Sequence, residues 1–139
     1  MSYKHSIWLI PNNWQMLIKT YDMKHIPHIT IATNLEELPV TILSEKIFKV
    51  NNFSKLVKFE KMYKYDPLSA SGFYCDVENI NINHKPHMSL FYNHNNTIEY
   101  YPPQELWCKL YIANTTNIDY TQWTAQNSSS IVKIDSSSV

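Results

Sequence analysis

Apolar and polar positions alternate with a period of two along most of this chain and take a helical period in one clear place. Residues 5–10, HSIWLI, are β-branched and aromatic and end at Pro11, which predicts an opening strand. The following NNWQMLIKTYDM places Asn12 or Asn13 as an N-cap before Trp14, Leu17, Ile18 and Tyr21, the spacing of one helix face, and predicts a helix that covers a sheet. Pro27 then disfavours helical backbone at Ile26, so HITIA reads as a second strand.

The middle of the chain carries weaker signals. LEELP suggests a short helical turn, TILSEKIFKV a strand or mixed segment, and SKLVKFEKMY a strand. SGFYCDV follows turn-prone residues and places Phe73, Cys75 and Val77 on one face, with Tyr74 and Asp76 on the other. HMSLFY is a further strand, and NHNNTIEYYPP a turn with an extended connector. In ELWCKLYIA, Leu106, Cys108, Leu110 and Ile112 alternate with Trp107, Lys109 and Tyr111, the pattern of a half-buried strand. YTQWTA and IVKI suggest short edge elements, while NSSS and DSSSV read as a loop and a flexible serine-rich end. Six or seven strands against one helix predict an antiparallel or mixed α+β sheet.

One pattern is written twice. HIPHITIATN at 25–34 returns as HKPHMSLFYN at 84–93, with His25 matching His84, Pro27 matching Pro86, His28 matching His87, Thr30 matching Ser89 and Asn34 matching Asn93 at a common offset of 59 residues, as from 28 to 87. On a strand His28 and Thr30 share one face, as do His87 and Ser89, while Ile29, Ile31, Met88 and Leu90 face the other side. Apolar positions anchor each strand, and the imidazole and hydroxyl project together. One polar pair on a strand is ordinarily satisfied by nearby backbone; two matched pairs require matched hydrogen-bonding solutions and point to a joint site on central strands.

Composition narrows the chemistry. A chain of 139 residues fits one domain, 1–139. Twelve basic residues balance twelve acidic ones, so no broad nucleic-acid surface is expected. Gly72 is the sole glycine, which excludes a Gly-rich phosphate cradle or a dinucleotide-binding fingerprint. The apolar run before Pro11 is too short for a signal-peptide core and no run reaches membrane-span length, giving the expectation of a soluble, cytoplasmic protein. Cys75 and Cys108 read as small buried hydrophobes.

Two imidazoles can serve in-line transfer: one accepts a proton from the attacking hydroxyl or water, the other donates to the leaving oxygen. Thr30 and Ser89 can donate to the nonbridging phosphoryl oxygens. Neither hydroxyl sits in a Ser-His-Asp arrangement or a glycine-lined nucleophile turn, which favours phosphodiester chemistry over acyl transfer. Which histidine starts as base is open at this stage.

HIT at 28–30 and HMS at 87–89, each preceded by proline, resemble the paired His-x-Thr/Ser signatures of the two-histidine (LigT-like) phosphoesterase superfamily. The resemblance covers the opening strand and helix and both motifs, about half the chain. It implies a compact, bilobed, pseudo-twofold α+β fold with antiparallel sheets around a central cleft. It also implies His28, Thr30, His87 and Ser89 as catalytic residues, with no metal and no cofactor. The short separation of the motifs and the sparse helix signals between them depart from the usual pattern and predict a second-lobe helix that is reduced or absent. The small size and an A+T-like amino-acid bias resemble compact viral members. They give the expectation of a phosphodiesterase acting on cyclic di- or oligonucleotide immune messengers, 2',3'-cGAMP among them, in a host cytoplasm. RNA 2',3'-cyclic phosphate and 2',5'-oligoadenylate are the alternative substrates.

Trp8, Trp107, Lys109 and Tyr111 are candidate substrate contacts, as stacking surfaces and a phosphate-binding cation; Tyr92 would join them only past a bulge. His25 and His84 permit a competing zinc reading with His28 and His87, opposed by the prolines and by the three-residue spacing, which sends strand partners to opposite faces unless a turn redirects the first; they read instead as loop residues or residues supporting the site. A nucleotide-sequestering protein that uses the cleft without turnover is the third class.

Overall fold

The computed structural model describes residues 5–35, 45–59, 70–92, 100–116, 119–127 and 130–134, with backbone alone at 34, 35, 92 and 120. The opening strand β1 (His5–Pro11) leads into α1 (Trp14–Tyr21). Asn13 occupies the N-cap position without the side-chain cap expected of it; its carbonyl instead accepts from Met16 and Leu17 N–H at 3.1 and 3.2 Å. Asp22 ends the helix in the left-handed region, with φ 52°.

The remaining strands are β2 (Ile29–Leu35), β3 (Ile47–Asn51), β4 (Val57–Phe59), β5 (Ala70–Tyr74), β6 (Asp76–Val77), β7 (His87–Tyr92), β8 (Glu105–Asn114), β9 (Thr124–Gln126) and β10 (Ile131–Lys133). A 3-10 turn at Tyr120–Gln122 precedes β9. The described chain is therefore α+β, one antiparallel sheet with one α-helix, and has more and shorter strands than the six or seven predicted. SGFYCDV divides at Cys75, because β5 pairs with β7 whereas β6 turns to β3. Residues 36–39 of LEELP, 60–63 of SKLVKFEKMY, 93–99 of the connector and the serine-rich end 135–139 lie outside the described residues.

The main strand order is β10-β9-β8-β1-β2-β7-β5-β4. The two motif strands are adjacent at its middle, in register at Ile29 opposite Met88. A row of apolar side chains crosses five strands through that pair, Leu110–Leu9–Ile29–Met88–Phe73. These residues share one core with Leu17 and Tyr21 of α1, Val50, Leu90, Leu106 and both cysteines. Ile29 and Met88 are fully buried, at 0% exposure, so a register slip of one residue would exchange them for His28 and Ser89 and is opposed by the whole layer.

The opposite face carries a second cluster: Trp8, Ile10, Ile26, Tyr111, Ala113, Ala125 and Val132, flanked by Trp14 and Trp123. Residues 111–113 of β8 are consequently buried in succession, and the alternation that marked its first half is lost. No helix among the described residues is long and apolar enough to cross a membrane.

Candidate active site

The antiparallel register places each catalytic candidate opposite its counterpart. Extending the Ile29–Met88 pair by one residue in both directions sets His28 beside Ser89 and Thr30 beside His87. Strand rise and spacing then separate the two histidine Cα atoms by about 8 Å along the diagonal.

The hydrogen bonds follow the same dyad. His25 Nε2–H donates to the Ser89 carbonyl at 2.9 Å, and His84 Nε2–H donates to the Thr30 carbonyl at 3.0 Å. His28 Nδ1–H donates to the Ile26 carbonyl at 2.7 Å; His87 Nδ1 makes the matching but longer approach to the Lys85 carbonyl, 3.5 Å. Each partner maps onto its counterpart by the same 59-residue offset that relates the motifs. The β-bulges repeat as well. Thr30–Ala32 spans one residue more than Ile7–Trp8 opposite it, and Ser89–Phe91 one more than Ser71–Gly72.

A carbonyl can only accept, so these bonds assign tautomers. Neutral His28 carries its proton on Nδ1 and presents Nε2 as the basic nitrogen, and His87 turns the same Nδ1 toward its carbonyl at the longer 3.5 Å. Among the described residues, neither Thr30 Oγ1 nor Ser89 Oγ is engaged in a hydrogen bond. Two basic nitrogens and two hydroxyls are thus uncommitted within one sheet face.

The two halves differ in their surroundings. The Trp8 ring stacks on His28 with centroids 3.7 Å apart and planes 12° from parallel, and Trp123 and His25 meet the same imidazole edge-on at 6.2 and 5.9 Å. His28 is 7% exposed, and burial, followed by the neighbouring His25, pushes its pKa down to about 3. His25 is pushed down to about 4, also by burial. His87 is half-buried, and burial lowers its pKa as well. Phe59 lies tilted against His87 at 4.5 Å, and Tyr74 meets it edge-on at 6.3 Å. Burial thus favours the neutral form of all three imidazoles.

Gly72 stands opposite Ser89, where Trp8 stands opposite Thr30 in the first half. A Cβ at Gly72 would lie 2.0 Å from the Met88 carbonyl oxygen and 2.8 Å from Ser89 Cα, so close approach of two backbones explains the glycine.

The other sequence candidates disperse. Trp8 reaches His28 directly, as a fully buried packing partner and not as an open stacking surface. Tyr111 pairs with Trp8, is buried, and its hydroxyl meets Ser130 Oγ at 3.2 Å. Lys109 forms an ion pair with Glu45 at 3.1 Å. Trp107 lies about 13 Å along β8 from Tyr111, beneath Lys49 Nζ at 5.6 Å, in the wall of a cavity with Asn12, Asn13 and Ile47. Neither Trp107 nor Lys109 joins the imidazoles. The bulge that Tyr92 required is present at Ser89–Phe91, but the Tyr92 side chain lies outside the described residues.

Sequence reasoning missed Trp123, Phe59, Tyr74 and the cross-strand reach of His25 and His84. The last had a signal: both leading histidines belong to the repeat, and the prolines that follow them admit the turn that brings them beside the site. Among the described residues no three His, Cys, Asp or Glu side chains gather as metal ligands. No family model matches the chain, and no curated protein or solved structure is significantly similar to it.

Proposed function

We propose that this chain is a two-histidine phosphodiesterase, with a bilobed arrangement about the β2–β7 seam, that hydrolyses cyclic di- or oligonucleotide messengers. The observation that carries the reading is the duplicated hydrogen-bond set, which fixes both His28 and His87 with Nε2 available and a hydroxyl beside each across the seam. A structural role would explain four satisfied imidazoles. It gives no reason for two matched hydroxyls without partners beside them.

In the proposed step, His28 Nε2 takes a proton from the attacking water or ribose hydroxyl as its oxygen bonds to phosphorus. The bond from phosphorus to the leaving ribose oxygen breaks, and His87, entering as imidazolium, gives that oxygen its Nε2 proton. His87 is the more open to water and gains a proton more readily beside an anionic phosphodiester, which makes it the acid and leaves His28 as the base. Thr30 and Ser89 donate to the nonbridging oxygens as charge grows there. His25 and His84 donate through Nε2 to carbonyls across the seam and take no part in the proton transfers.

The burial of His28 favours one competing reading, a protein that holds a nucleotide at His87 without turnover. The test incubates the protein, in chelator, with cyclic dinucleotides, 2',5'-oligoadenylate and RNA ending in 2',3'-cyclic phosphate, then separates the products. Conversion of a cyclic dinucleotide is the expected result; binding without conversion across the panel would leave sequestration.

A further inference from the structure

The near-symmetry of the two halves makes their differences informative. In the first half, Trp8 lies opposite Thr30, and Ile26, two residues before His28, is 1% exposed in the same apolar cluster. In the second half the corresponding places are Gly72, opposite Ser89, and Lys85, two residues before His87. An aromatic lid and an aliphatic residue are thus exchanged for no side chain and a cation.

Lys85 is held in a defined position. Its ammonium sits 4.2 Å from the centroid of the Tyr74 ring, and Tyr74 is the cross-strand partner of His87 with its ring 6.3 Å from the imidazole. Lys24, Lys49 and Lys109 each form an ion pair, whereas among the described residues no carboxylate lies within ion-pair reach of Lys85. An exposed cation resting on an aromatic face keeps its donors pointed outward, where an anion can reach them.

We infer that Lys85, supported by Tyr74, is an anion subsite on the His87 side of the β2–β7 seam that holds the second phosphate of a substrate whose first phosphate lies between the imidazoles. This deepens the proposed function and rests on it for the location of the first phosphate. It makes the site selective for nucleotides with two phosphodiester groups over those with one, because a single phosphate held between His28 and His87 leaves Lys85 unused. Among the described residues the first half has Ile26 and Trp8 in the corresponding places and no equivalent cation, so a ligand with two phosphates binds in one orientation.

The experiment measures by calorimetry the affinity of a bis-phosphorothioate cyclic dinucleotide, which resists turnover, and of a 2',3'-cyclic mononucleotide. The proteins are the unaltered chain, Lys85→Ala, Lys85→Arg, Tyr74→Phe and Tyr74→Ala. Lys85 is exposed, so its variants leave the core intact. Lys85→Ala is expected to weaken the dinucleotide about tenfold and the mononucleotide less than about twofold, with Lys85→Arg and Tyr74→Phe close to the unaltered protein and Tyr74→Ala intermediate. An unchanged dinucleotide affinity, an equal loss for both ligands, or no binding of the dinucleotide by the unaltered protein would overturn the subsite. Turnover of the unmodified dinucleotide is read separately. The expected affinities without turnover would retain the subsite and remove the phosphodiesterase, and turnover without the affinity pattern would do the reverse.

Discussion

His25 on one motif donates its Nε2 proton to the carbonyl of Ser89 on the other at 2.9 Å, and the bond is returned by His84 to Thr30 at 3.0 Å. Between these two bonds the strands β2 and β7 are in register at one residue pair, Ile29 with Met88. The imidazoles therefore clamp the seam on which both catalytic candidates sit. They also hold the backbone of the residue that supplies the opposite hydroxyl.

His25 is 1% exposed, so His25→Ala would leave a cavity and a carbonyl without its donor. A loss of about 2–4 kcal/mol is expected. His84 is half-buried, and His84→Ala should cost about 1 kcal/mol. Urea unfolding of the two variants checks the order, and His25→Gln, which retains an N–H donor, should recover part of the loss.

Stability should depend on acidity in a defined window. The folded pKa values of His25 and His28, about 4 and about 3, lie below the unfolded value of 6.5, so the unfolded chain binds protons that the folded chain refuses. Above pH 6.5 both states are neutral at these residues and the effect vanishes; between pH 6.5 and 4 the fold loses about 1.4 kcal/mol per pH unit for each imidazole. Unfolding measured from pH 8 to 4 should show this slope, and His25→Gln should remove one proton's share of it.

Gly72→Ala is expected to be among the most damaging small substitutions. The added methyl would meet backbone atoms at 2.0 and 2.8 Å, which no side-chain rotation can relieve. A loss of about 3 kcal/mol or more is expected, with displacement of Ser89. Thermal unfolding gives the first quantity, and the Ser89 amide shift in an NMR spectrum reports the second.

The Trp8 ring shields His28 from water. Trp8→Phe keeps an aromatic core residue while admitting solvent, and should raise the His28 pKa from about 3 toward 6.5, read from the imidazole proton shifts during titration.

Local periodicity located much of this architecture. Helix α1, the alternation of Phe73, Cys75 and Val77, and the first half of β8 follow spacing rules that depend on one buried face, while β1, buried on both, showed in its β-branched and aromatic run closed by Pro11. The repeat located the paired motifs for the same reason, since His28 and Thr30 must share a face if Ile29 is buried. What escaped depends on which strands become neighbours. Phe59 reaches His87 because β4, β5 and β7 lie in sequence across the sheet, an order that no local pattern encodes. Lys109 and Trp107 share a strand face with Tyr111, which suggested a common wall, yet the length of β8 carries Trp107 away from the imidazoles. His25 reads as a loop residue beside the site and precedes β2, which begins at Ile29, but its carbonyl partner on β7 depends on the strand pairing and has no local signal.

The central claim, acid–base cooperation of His28 and His87, is tested most directly by kcat/KM on a cyclic dinucleotide, in chelator, for His28→Ala, His87→Ala and the double variant, each first shown to be folded. Each single change should lower the rate by about 10²–10⁴, and the double variant should be little worse than the poorer single, because the two imidazoles act in one step. Turnover within a few-fold of the unaltered protein in either single variant would contradict the account.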